Sequence, residues 1–151
     1  MKPEMRKFDS FTEVLDFAID REKEAHLFYT RLADMVKKPE LIKIIRDFAA
    51  EEKEHRIKLE AVKSGKAVIR KEDIGNLNIA DYVHDVEPSP HMSYVDLLIV
   101  AMKKENLSYK LYTDIASMSQ KQDLTDIFSK LAQEEAGHKL RFEFEYDLTK
   151  F

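Results

Sequence analysis

Slid against itself by 83 residues, the chain aligns positions 10–60 with 93–143 without a gap, and sixteen of those 51 pairs are identical. The matches include Ser10/Ser93, Leu15/Leu98, Ala18/Ala101, Glu22/Glu105, Tyr29/Tyr112, Ala33/Ala116, Met35/Met118, Leu41/Leu124, Ala49/Ala132, Glu51/Glu134, Glu52/Glu135 and His55/His138. A period this long, present only twice, describes a duplicated hairpin; a solenoid needs at least three units. Inside the repeat lie two Glu-x-x-His motifs, Glu52 to His55 and Glu135 to His138, and 30 positions before each stands another glutamate, Glu22 or Glu105. Acidic residues number 29 of 151, so one Glu three places before a histidine means little. Two at one offset, each with the same upstream glutamate, are two copies of a half-site.

Periodicity places these residues on helices. Ser10 to Glu13 reads as a capping box, and Phe11, Leu15, Ala18, Ile19, Glu22, Ala25, His26, Tyr29 and Ala33 follow at spacings of 3 and 4, one helical face over about 11–36. Pro39 suits a first turn, and a second helix carries Leu41, Ile44, Ile45, Phe48, Glu52, His55 and Leu59 inward, ending near Gly65. A third helix is capped by Ser93 with Asp96 and carries Leu98, Met102, Glu105, Tyr109, Tyr112 and Ala116. A fourth, over about 122–148, turns Ile127, Leu131, Glu135, His138 and Phe142 inward. Gly137 sits mid-helix, where glycine costs about 1 kcal/mol against alanine, and close approach of a neighbour is the expected reason. Short connections make two antiparallel hairpins, 10–64 and 93–148. The segment 65–92 between them, punctuated by Gly75, Asn76, Pro88 and Pro90, is long enough to cross a bundle from end to end. The expectation is one all-α domain over 1–151, a ferritin-like four-helix bundle of two hairpins joined by a long crossover.

Composition narrows the chemistry. There is no cysteine, which excludes disulfides, thiolate zinc sites and cysteine-held iron–sulfur clusters within these residues. The net charge of −4 argues against nucleic acid as a partner. No run of 18 apolar residues is present and the first eleven residues lack an apolar signal core, so neither a membrane span nor secretion is expected, and the default location is cytoplasmic.

Positions i and i+3 of a helix project from one face. Glu52 and His55 therefore reach one ion together, Glu135 and His138 a second, and Glu22 and Glu105 close the site from the other two helices. Bundles that hold two iron or manganese ions use this ligand set. Four carboxylates balance two divalent cations in charge, and oxygen with imidazole nitrogen suits iron, manganese or zinc. Taken singly, each glutamate would be a solvated surface residue. Glu51 and Glu134 lie about 100° around the helix from their neighbours and are expected to be solvated or to flank the site. Tyr29 and Tyr112, two turns beyond Glu22 and Glu105, divide between core packing and a hydrogen bond to a ligand carboxylate. His26 is expected to pack or to support the site, His84 and His91 to be surface residues, and Met35 and Met118 to be core.

The set Ala18, Glu22, Ala25, Phe28, Tyr29, Glu52, His55, Glu105, Tyr112, Glu135 and His138 resembles the rubrerythrin branch of the ferritin-like superfamily over nearly the whole chain. The resemblance implies that Glu52 and Glu135 bridge two irons, that Glu22 and Glu105 are terminal carboxylates, and that His55 and His138 each complete one ion. It also implies a di-iron centre that reacts with hydrogen peroxide or dioxygen, and subunits that dimerise. Two departures stand out. Rubrerythrins usually add a rubredoxin domain with four cysteines, and this sequence holds none, which implies a separate electron donor such as rubredoxin. They also tend to place an extra glutamate three residues after the helix-3 ligand, where this chain has Ser108. The resulting expectation is an oxidoreductase. Its alternatives are an iron-handling ferroxidase, a dimanganese catalase-like centre and a metal-free interaction bundle.

Overall fold

A computed structural model of the chain describes residues 7–65, 71–74, 77–83, 89 and 91–150. Four long helices dominate it: α1 (Phe11–Met35), α2 (Pro39–Ser64), α3 (Tyr94–Met118) and α4 (Gln122–Leu148). The duplication is visible in their ends. The hydroxyls of Ser10 and Ser93 accept the backbone N–H of Glu13 and Asp96, each at 3.1 Å, so α1 and α3 open on the same cap. By contrast, α2 and α4 both follow a lysine, Lys38 or Lys121, that makes no side-chain cap.

Two antiparallel hairpins, α1 with α2 and α3 with α4, pack closely within themselves and more sparsely against each other. Their apolar faces meet in two separate clusters. One gathers Leu15 and Ala18 of α1, Leu59 and Val62 of α2, Leu111 and Ile115 of α3, and Phe128 and Leu131 of α4. The other gathers Leu32, Ile45, Leu98 and Phe142 with their neighbours. Chain direction follows from this: α1 and α4 run from the first cluster to the second, and α2 and α3 run back. The chain between α2 and α3 must therefore cross the length of the bundle, as its length allows. Its described part packs on the first cluster. A helical turn (Lys71–Ile74) and a 3-10 turn (Ile79–Tyr82) bury Ile74, Leu77, Ile79 and Tyr82 there. The Phe8 N–H donates to the Leu77 carbonyl at 3.4 Å, strapping the N-terminal segment onto the crossover. His84, Gly75, Asn76, Pro88 and Pro90 lie outside the described residues.

Two inward assignments fail, and so does the reason expected for Gly137. Met35 is 49% exposed and Tyr109 40%, because each sits at the edge of its helix's buried stripe. Met118 does pack, partly buried, against the first cluster. Gly137 gives no neighbour close approach: a methyl group there would meet nothing within 4 Å. Among the described residues, no helix is long and apolar enough to cross a membrane.

Candidate metal centre

Between the two apolar clusters lies a layer of ionisable side chains. Glu22, Glu52, His55, Glu105, Glu135 and His138 are each 3% exposed or less. The helical stripe that buries Leu15, Ala18 and Ala25 on α1 carries Glu22 to the same depth, and α3 does the same for Glu105. On α2 and α4 the i, i+3 spacing sets each glutamate beside its histidine. The duplication has produced a near-symmetric site, with the two imidazoles 6.3 Å apart and tilted by only 12°.

Each histidine turns Nδ1 inward. His55 Nδ1 lies 3.0 Å from Glu135, 3.6 Å from Glu22 and 3.7 Å from Glu52. His138 Nδ1 lies 3.1 Å from Glu52, 3.4 Å from Glu105 and 3.9 Å from Glu135. The ligand-type atoms form two groups, Glu22, Glu52, His55 and Glu135 in one, Glu52, Glu105, Glu135 and His138 in the other, each with its atoms within 4.8 Å of one another. Glu52 and Glu135 belong to both.

Two donors about 2.1 Å from one ion stand at most ~4.2 Å apart. The distances to the two Nδ1 atoms fall inside that limit. Both oxygens of Glu52 and of Glu135, one of Glu22, one of Glu105 and both Nδ1 atoms are buried without a well-formed hydrogen bond. Eight polar atoms left this way would be costly. They crowd together in one layer, with the two Nδ1 atoms 3.0 and 3.1 Å from carboxylate oxygens, which is an arrangement that cations relieve. The residues therefore fit a pair of metal ions.

Without cations, protons must do this work. Burial, reinforced by the Glu135 charge, raises the carboxyls of Glu22, Glu52 and Glu105 above the ordinary carboxylate range. Burial would raise Glu135 too, but close contacts with His55 and Glu52 outweigh it and hold that carboxyl at about 2. Burial would lower both histidines, yet contacts with Glu135 and Glu22 bring His55 to about 11, and contacts with Glu105 bring His138 to about 9.

The surroundings of the layer cross between hairpins. Tyr29 on α1 donates its hydroxyl to Glu105 on α3, and Tyr112 on α3 donates to Glu22 on α1. Both rings are fully buried, so these tyrosines pack and also bond a ligand-type carboxylate. Glu51 and Glu134 flank the layer, each touching a histidine. His26 does not support the site; its Nδ1 pairs with the Ala49 carbonyl at 2.8 Å and ties α1 to α2. His91 is exposed. Sequence periodicity did not reveal that Phe48 stacks on the His138 ring at 4.0 Å. It also did not reveal the buried Glu145, which meets Arg141 at 2.8 Å. Its repeat counterpart is Val62, so no doubled motif marks it. A cavity of about 20 Å³ between α1 and α3, bordered by Ala25, Ser108, Leu111 and Tyr112, reaches Glu52, Glu105 and Glu135.

The sequence matches the family described as Rubrerythrin over residues 13–146. Among solved structures, the chain is similar to a hypothetical protein from Pyrococcus furiosus, with 30% identity and a TM-score of 0.72, over 92% of this chain and 89% of that one. No curated protein matches it significantly.

Proposed function

The chain belongs to the rubrerythrin family, and on that premise we propose that it is a di-iron oxidoreductase that reduces hydrogen peroxide, or dioxygen, with electrons from a separate donor. The observation that carries this reading is the pair of ligand groups sharing Glu52 and Glu135. In it, Glu52 and Glu135 would help hold both ions, Glu22 and His55 would help hold one, and Glu105 and His138 the other. When bound, the irons would supply Lewis acidity and the two electrons that, with two protons, take one peroxide to two waters.

The protein's own part is binding, orientation and exclusion. The two apolar clusters keep bulk water from both ends of the layer. Tyr29 and Tyr112 each hold one oxygen of a buried carboxylate, that of Glu105 and that of Glu22, and the other oxygen of Glu22 faces His55. The cavity beside Ser108 has room for about one water-sized molecule, which suits a very small reactant. The 151 residues hold no cysteine, so a thiolate-bound electron carrier such as rubredoxin would lie outside them.

The test is anaerobic reduction of iron-loaded protein followed by one equivalent of peroxide, with the ferric absorption monitored. Prompt, stoichiometric re-oxidation is expected. Protein that stays reduced under peroxide, yet oxidises added ferrous iron in air, would overturn peroxide reduction in favour of iron handling.

A further inference from the structure

The outer nitrogens of the two histidines are both held, and by the opposite hairpin. His55 on α2 pairs through Nε2 with Glu134 on α4 at 2.6 Å, and His138 on α4 pairs through Nε2 with Glu51 on α2. Glu51 and Glu134 are repeat equivalents, each just before its own Glu-x-x-His motif. Neither serves the histidine four residues further along its own helix. The side chains of Glu51 and Glu134 remain 49% and 31% exposed, whereas the imidazoles are 4% exposed or less. Each carboxylate thus keeps contact with water at one end while its bond reaches a buried ring at the other.

An imidazole that donates Nε2–H to a carboxylate carries its free lone pair on Nδ1. Here Nδ1 is the atom facing the carboxylate layer. Ordinary surface ion pairs contribute little. These differ because their partner is a buried ring with two possible tautomers and two possible flips, of which only one presents a donor to the layer. We propose that Glu51 and Glu134 are positioning residues of the metal centre, each holding the other hairpin's histidine with Nδ1 turned toward the ions. The inference rests on the reading that the six buried residues bind two metals. It adds that neither hairpin presents its own histidine unaided: each half-site is assembled only when α2 and α4 face each other.

The full chain, stripped of metal, would be titrated with Co²⁺ and separately loaded with Zn²⁺. Wild type is expected to take two ions. Glu51→Ala and Glu134→Ala are expected to weaken Co²⁺ binding by roughly 10–100-fold and to alter the cobalt absorption bands. Glu134→Gln keeps an acceptor oxygen and is expected to recover most of the affinity. In the zinc form, long-range ¹H–¹⁵N spectra are expected to show Glu134→Ala disturbing the ring of His55, and Glu51→Ala that of His138. Both positions are at the surface, so circular dichroism should show intact helices. Wild-type affinity and ring signals in both alanine variants, or disturbance of the histidine on the substituted helix instead, would overturn the positioning role. A wild type that binds neither Co²⁺ nor Zn²⁺ would overturn the metal reading beneath it.

Discussion

The two hairpins agree at all six buried glutamates and histidines and differ at several positions packed around them. Glu22, Glu52 and His55 in the first have their equals in Glu105, Glu135 and His138 in the second, at the same helical registers and the same depth. Yet Phe48, which stacks on His138, has Leu131 as its counterpart; His26, bonded to the Ala49 carbonyl, has the exposed Tyr109; and Ala25 has Ser108. Two ions held by shared carboxylates would require equivalent donors, but not equivalent walls. Symmetry is complete among the buried ionisable residues and only partial in the packing around them.

The sharpest way to break that equivalence is to remove ligands singly. Glu52 and Glu135 sit in both groups, so Glu52→Ala or Glu135→Ala should abolish binding of both ions, leaving metal content near zero by mass spectrometry. Glu22 and Glu105 each sit in one group, so Glu22→Ala and Glu105→Ala should each leave one ion per chain. Retention of both ions by a Glu52 variant would contradict the bridging assignment.

A second test asks whether protons replace the ions when metal is absent. Contacts with Glu135 and Glu22 raise His55 from 6.5 to about 11, against burial that would lower it, and Glu105 likewise raises His138 to about 9. A group raised in the folded state gives its stabilisation in full below its unfolded value and loses it as pH rises through the folded one. The raised carboxyls of Glu22, Glu52 and Glu105 slope the same way, above 4.5. Glu135, held at about 2, slopes oppositely, but its window closes below 4.5. Between pH 6.5 and 9 the metal-free protein should therefore lose stability. At about 1.4 kcal/mol per pH unit for each group and about 2–4 °C per kcal/mol, its Tm should fall by more than about 10 °C. The metal-loaded protein should hold its Tm over that range. Calorimetry at several pH values decides, and a metal-free Tm that climbs toward pH 9 would contradict the shared-proton picture.

A smaller effect compares the crossed tyrosines. Tyr29→Phe and Tyr112→Phe each strip one bond from a buried carboxylate, at a cost of about 1–3 kcal/mol in the metal-free protein. If the hairpins are equivalent here too, the two losses should agree within about 0.5 kcal/mol in denaturant melts. A clear inequality would place the first lapse of symmetry at the hydroxyls.

How far all this is legible in the sequence depends on the range of the interaction. Helix ends, caps and buried stripes are local: Ser10, Ser93 and Pro39 mark starts, and the stripe through Leu15, Ala18 and Glu22 repeats at helical spacing. The buried set of four glutamates and two histidines is legible because duplication writes it twice. What crosses between hairpins is not. Nothing local to Glu134 says that its partner is His55, 79 residues away, although its recurrence at Glu51 marks the position as special. Edges of a stripe also mislead, since one helical step decides between a buried and an exposed side chain. Met35 and Tyr109 fall on the outer side of that step.

Gly137 offers the mildest test of the comparison, because it breaks the repeat inside the motif itself. Its counterpart is Glu54, an ordinary helix former on the exposed side of α2. Glycine in mid-helix leaves the unfolded chain more freedom and costs about 1 kcal/mol against alanine. Only a tight neighbour would justify it, and a methyl group at Gly137 meets none. Gly137→Ala should therefore stabilise the protein by about 0.5–1 kcal/mol, raising Tm by about 1–4 °C, and leave metal content unchanged. Stabilisation with the metals retained would mean that the glycine is a lapse of the second hairpin that the site tolerates. A stabilised chain that binds only one ion would mean that α4 must flex beside His138 to close the centre, and that the hairpins differ in function as well as in packing.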